Sequence, residues 1–179
     1  MQRYRVCALG FFGLSLLSCL SEPLRDQDSF LKSMEKVGNP LSKGINTLIT
    51  QNGEPILRLK ASEQIVYPEE ILFPKGLQVI FYAKNGQVQS RLKGKRGSFD
   101  KKKTLYTVSC GVRLENINTK EYLLSQELIW NPHQKKVYTD SALSIHTQDE
   151  VHVGEGLMAS EDFESYHILR PKGTVILAE

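Results

Sequence analysis

Short β-type segments recur along this chain at almost constant spacing. Gly76-Leu-Gln-Val-Ile-Phe81, Gly111-Val-Arg-Leu-Glu-Asn116, Ala142-Leu-Ser-Ile-His-Thr147 and Gly173-Thr-Val-Ile-Leu-Ala178 each open on a tiny residue, and their starts lie 35, 31 and 31 residues apart by subtraction. A repeat of this length marks stacked supersecondary units, none of which can bury its apolar face alone. Because each unit reads as β, the expected object is an elongated sheet structure with a continuous apolar inside.

The turns support that reading. Ile45–Gln51 alternates and stops at Asn52-Gly53; Leu77–Ala83 runs into Asn85-Gly86, and both dipeptides are hairpin signals. Thr104–Ser109 and Val112–Asn116 read as two strands, as do Lys136–Thr139 and Leu143–Thr147, whereas Gly97–Lys103 reads as a loop. Turn residues arrive roughly every 8–12 positions, the cadence of an all-β sandwich or barrel. No long helical period follows Lys43, which argues against βαβ units and a nucleotide-binding parallel sheet.

Side chains two apart share a face of a strand. On that rule Val79 and Phe81, Val112 and Leu114, Leu143 and Ile145, Val151 and Val153, and Val175 and Leu177 form one common interior. Two readings stay open: a packed core, or a groove partly open to an apolar ligand.

The ends of the chain carry a different message. Arg3 and Arg5 precede a 12-residue apolar run, Val6–Leu17, too short to span a bilayer but suited to a secretory signal. It ends in Leu16-Leu17-Ser18-Cys19, which resembles the bacterial lipobox, whose cysteine is linked to diacylglycerol. A plain signal peptide with a fortuitous cysteine is the alternative. The expected organisation is a lipoprotein signal over 1–18, a lipidated polar tether over 19–43 and a β domain over 44–179. Loss of Arg3 and Arg5 leaves 21 basic against 20 acidic residues, a net charge of about +1. That balance does not suggest nucleic acid. Once Cys7 is removed and Cys19 acylated, Cys110 has no partner and reads as a small buried side chain.

Catalytic patterns are lacking. His133, His146, His152 and His167 are not at metal-ligand spacing, and His146 and His152 read as facing outward. The acids Glu69-Glu70 and Glu161-Asp162 with Glu164 look like solvated loop charges. Ser90, Ser125 and Ser144 lack a nucleophile elbow, and Gly154-Glu155-Gly156 lacks a phosphate loop. No enzyme, metal or cofactor is expected. A basic cluster, Arg91, Lys93, Lys95, Arg96 and Lys101–Lys103, suits a solvated sheet edge, with lipid phosphate as the natural anion for an exported chain.

Tyr67-Pro-Glu-Glu-Ile-Leu-Phe-Pro-Lys-Gly-Leu-Gln-Val-Ile-Phe-Tyr82, then Asn85-Gly-Gln-Val-Gln-Ser90, Leu123-Leu-Ser-Gln-Glu-Leu-Ile-Trp-Asn131, Val137-Tyr-Thr-Asp140 and Val153-Gly-Glu-Gly-Leu-Met-Ala159 together resemble the lipopolysaccharide export component C family, LptC. The likeness covers roughly residues 44–178 and is strongest to lipoprotein-type members from Bacteroidetes-like bacteria. It implies a twisted, open β-jelly-roll (OstA-like) of antiparallel strands with an apolar groove. It also implies a periplasmic protein held at the inner membrane by its lipid. Such a protein takes lipopolysaccharide from the permease subunits of an ABC transporter and passes it to a periplasmic bridge protein of the same fold. The groove would be lined by the ten aliphatic and aromatic residues named above. Joining would be by strand addition, with Ile45, Thr47 and Ile49 at one edge and Thr174 and Ile176 at the other. Gly154 and Gly156 would admit close backbone approach. Leu20 after Cys19 would sort to the outer membrane under the enterobacterial rule, whereas the resemblance implies the inner one. The alternative function is a scaffolding envelope lipoprotein with a closed core.

Overall fold

Antiparallel pairing alone builds this domain. The structure, a computed structural model, describes residues 41–176. Its elements are β1 (Leu41–Gln51), β2 (Glu54–Val66), β3 (Glu70–Phe73), β4 (Leu77–Tyr82), β5 (Val88–Gly94), β6 (Arg96–Asp100), β7 (Leu105–Asn116), β8 (Tyr122–Asn131), β9 (Lys136–His146), β10 (Glu150–Ser160) and β11 (Tyr166–Ile176). All belong to one sheet, a β-jelly-roll without a helix among the described residues.

The short strands are halves of longer, bent ones. β2 pairs with β4 over Leu57–Ala61 and with β3 at Ile65 and Val66, so β3 and β4 are two halves of one bent strand. β7 likewise pairs with β5 over its second half and β6 over its first. The sheet is therefore a plain meander of nine long strands, each neighbouring the next in sequence. Asn52 (φ 54°) and Gly53 (φ 85°) both take the left-handed conformation at the first turn, the type I′ geometry that matches strand twist.

Two register breaks, at Ile49/Thr50 and Phe81/Tyr82, lie near hairpin turns; the others fall on one line across the meander. They lie between β3 and β4, between β5 and β6, at Cys110–Gly111 in β7, and at the bulged stretch of β9 facing Leu128 and Leu157. Gly156 in β10 and Lys172 in β11 continue the line. Gly76, Gly111 and Gly156 have φ of 97°, 74° and 75°, a region that side chains other than glycine rarely enter. Bulges bend strands, and here the bends add into a crease. Phe81 lies in the row of Ser90 and Asn116, while Trp130 lies in the row of Tyr106. These rows are ten residues apart along β7, about 33 Å on a straight strand. The two rings nevertheless meet edge-on with centroids 5.2 Å apart. The sheet is folded back on itself across its strands.

Two layers result. The first holds β4, β5 and the adjoining halves of the other strands; the second holds β3 and β6 with the remaining halves. Val79, Leu92, Leu114, Leu123 and Ile145 from the first pack with Val108, Leu128, Val137 and Leu157 from the second in one core, all with no exposed area. Each such side chain gains on the order of 1.5–3 kcal/mol over exposure. The four repeated segments each open at the crease, so one repeat is a hairpin and its tiny first residue sits where the strand bends.

Several expectations need correction. Arg96–Asp100, read as loop, is β6, because Gly97 and Phe99 face inward and pair with Phe73 and Ile71. β1 begins at Leu41, inside the stretch read as tether. Cys110 is exposed rather than buried, with φ 66°, because it bulges out of the ladder. His152 pairs with inward Ile145 and does not face away from it. Val151, Val153 and Val175 share the face of His146 and Ser144, opposite to Leu143 and Ile145. The same-phase rule fails there because β10 pairs one residue out of step with it. Leu177 and Cys19 lie outside the described residues.

Candidate functional site: the trough between the layers

A sheet creased across its strands is a trough, and its long axis runs from β1 to β11. Both of those are edge strands, β1 paired only to β2 and β11 only to β10. β1 is exposed along almost its whole length, with Ile45 partly buried against the core while Thr47 and Ile49 are open. Thr174 and Ile176 stand exposed on β11, and they lie on the trough side, in register with His152 and Glu150.

Of the residues expected to line the trough, Val79, Phe81, Val112, Leu114, Leu143 and Ile145 come together in the packed core. Val151, Val153 and Val175 do not join them. Towards β11 the inner face turns polar: Thr139 is buried, and His152 Nδ1 lies 3.0 Å from Thr174 Oγ1. Gly154 is buried where β11 crosses closest; a Cβ there would stand 2.4 Å from Ile168 Cγ2 and 2.9 Å from the Arg170 carbonyl oxygen. Gly156 carries the positive φ of the crease.

The open lips of the trough meet at residues that sequence reasoning missed. The turn between β10 and β11, in the second layer, reaches across to the first. Ser90 Oγ donates to the Glu161 carbonyl at 2.7 Å, and Asn116 Nδ2 donates to the Asp162 carbonyl at 3.1 Å. Trp130 Nε1 donates to Glu161 Oε2 at 2.9 Å, and Gln89 Nε2 to Glu164 Oε1 at 2.6 Å. Phe163, fully buried, drops into the core and stacks on Tyr166 with centroids 5.2 Å apart. Its φ is +56°, a left-handed backbone that costs a bulky residue energy. Burial pushes the Glu161 carboxyl above its ordinary range; the Trp130 hydrogen bond and Lys135 oppose that shift. The only sequence signal for this latch was a lone aromatic within an acidic and serine-rich turn.

A cavity of about 620 Å3 remains at the β1 side of the seam, lined by Pro55, Ile56, Phe81, Tyr82, Lys135 and Glu161 among others. Among the described residues no buried side-chain nitrogen or oxygen lacks a partner, and no cluster of His, Cys, Asp and Glu is placed to hold a metal. The arrangement is suited to contain and guide apolar groups.

A family model for lipopolysaccharide assembly, LptC-related, matches residues 13–171. The chain belongs to the LptC family. No individual curated protein matches the sequence significantly. Membership in the LptC family carries a role in lipopolysaccharide transport, facing the periplasm at the inner membrane, and its members are transport components.

Proposed function

We propose that this chain is a lipid-anchored periplasmic relay of lipopolysaccharide export. Cys19 carries the lipid and holds the domain at the inner membrane. Acyl chains arrive from the permease subunits of an ABC transporter near β1, pass between the two layers, and leave near β11 to a bridge protein of the same fold. The observation that carries this reading is an interior, apolar from β1 and turning polar only towards β11, that runs between two strands each paired on one side alone. Strand addition at β1 (Ile45, Thr47, Ile49) and β11 (Thr174, Ile176) would prolong the trough into each partner.

The energetics favour a trough that opens and closes. Burying one CH₂ is worth about 0.8 kcal/mol, so a ~12-carbon chain fully enclosed would gain roughly 10 kcal/mol. A permanent cavity of that depth would not release its cargo. Here the interior is filled by its own side chains, and an entering acyl chain replaces Leu–Leu contacts with Leu–lipid contacts, a near-neutral exchange. The seam at Glu161–Phe163 is where the layers part.

The packed interior also favours a second reading, a scaffolding envelope lipoprotein with a permanently closed core. One experiment separates them. A photocrosslinking residue at Leu57, Leu143 or Thr174 in cells should capture lipopolysaccharide, whereas one at Met158, on the outside of the second layer, should not. Capture from Met158 alone, or from none of the four in a folded and functional chain, overturns the relay.

A further inference from the structure

The outer face of the first layer has a composition that the trough does not explain. In register across β2, β4, β5 and β7 lie Lys60, Gln78, Lys93 and Arg113, with Arg58, Ile80, Arg91 and Glu115 in the next row. Five cations therefore stand on one patch against one carboxylate. Glu115 is engaged by Arg113 at 2.8 Å and by Arg91 at 3.7 Å. Lys60 and Lys93 are exposed, and neither has a carboxylate within 4.0 Å among the described residues. Beside them the face dips into a cavity of about 450 Å3, lined by Lys60, Lys75, Lys93 and the glycines Gly44, Gly76 and Gly94.

The same rows continue into aliphatic side chains. Arg113 is followed by Leu124, Ser144 and Val153, and Glu115 by Tyr122, His146, Val151 and Val175. Leu124 and Val153 are each 38% exposed and Val175 58%. A cationic strip beside exposed aliphatics on one sheet face is unusual for a surface meeting only water. It complements a surface that offers phosphate charge and, just beneath, hydrocarbon.

We propose that this outer face seats on an anionic phospholipid bilayer, with Lys60 and Lys93 against lipid phosphates and Leu124, Val153 and Val175 at the acyl boundary. The seat is independent of what the trough carries. It would hold the domain in a fixed orientation on the membrane rather than leave it free at the end of a tether. Each basic side chain near such a surface strengthens binding about fivefold.

The test uses the chain from residue 19 onward with Cys19→Ser, so that no acyl group contributes, and measures sedimentation with vesicles. The chain should bind phosphatidylcholine vesicles containing phosphatidylglycerol and not those of phosphatidylcholine alone. Lys60→Gln with Lys93→Gln should weaken that binding about 30-fold, with the thermal unfolding midpoint unchanged because both side chains are exposed. Leu124→Gln should weaken it further. Inorganic phosphate should displace the protein no better than chloride at equal ionic strength. Binding unaffected by the two lysine substitutions, equal binding to neutral vesicles, or specific displacement by inorganic phosphate (a soluble-anion site instead) would each overturn the proposal. Failure here leaves the lipopolysaccharide crosslinks at Leu143 and Thr174 untouched.

Discussion

Phe163 offers the sharpest test of how the two layers are held shut. Its ring is fully buried in the core, so Phe163→Ala should cost the 3–5 kcal/mol typical of an emptied aromatic site. That is a large part of the 5–15 kcal/mol available to a domain of this kind. The backbone adds a second, opposite expectation. At φ +56° any side chain beyond hydrogen costs about 1–2 kcal/mol, while glycine costs about 0.5–1 kcal/mol through the freedom it gives the unfolded chain. Phe163→Gly should therefore be more stable than Phe163→Ala by about 0.5–1 kcal/mol, the reverse of the usual order within a strand. Urea unfolding followed by Trp130 fluorescence measures both; Trp130 is the only tryptophan in the chain and belongs to the same latch. An alanine variant within 1 kcal/mol of the parent would show that Phe163 does not plug the seam. An alanine variant more stable than the glycine one would refute the backbone argument.

Two further outcomes follow from the same geometry. Gly154→Ala places a methyl 2.4 Å from Ile168 Cγ2 and 2.9 Å from backbone oxygen, so β11 must shift; a loss of about 1–3 kcal/mol and faster amide exchange confined to β10–β11 are expected, and unchanged exchange there would contradict the packing. Glu161 binds its proton more tightly folded than unfolded, because burial raises its folded value above 4.5. Its contribution is therefore greatest below the unfolded value and falls as pH rises through the folded one. Glu161→Gln should show its largest stability advantage over the parent near neutrality and a narrowing one on acidification; a gap that widens toward acid would reverse the sign.

Much of the fold was legible because its signals are local. Asn52-Gly53 and Asn85-Gly86 carry their turn geometry in their own backbones, and alternation in Val112–Asn116 or Leu143–Ile145 needs no partner to be read. What stayed hidden depends on pairing across strands. In β8 the inward set changes from Leu123 and Ser125 to Leu128 and Trp130, odd to even, where the strand crosses the crease. A single period-two phase cannot follow that change, and Val151, Val153 and Val175 were accordingly assigned to the wrong face. β6 was masked by the basic residues and glycine that flank it, Lys93-Gly-Lys95 before and Lys101–Lys103 after. The latch was illegible for another reason: Glu161-Asp-Phe-Glu164 has the composition of a solvated turn, and only the back-folding of the sheet brings Ser90, Asn116 and Trp130 within its reach.

The crease has a bearing on size. Because each long strand crosses it once, strand number alone fixes how far the passage runs: eight steps between nine strands give about 38 Å at ~4.8 Å each. One extra hairpin would lengthen it by roughly 10 Å without repacking its neighbours. Such a molecule works like a zip fastener cut to measure, its span a tally of identical teeth.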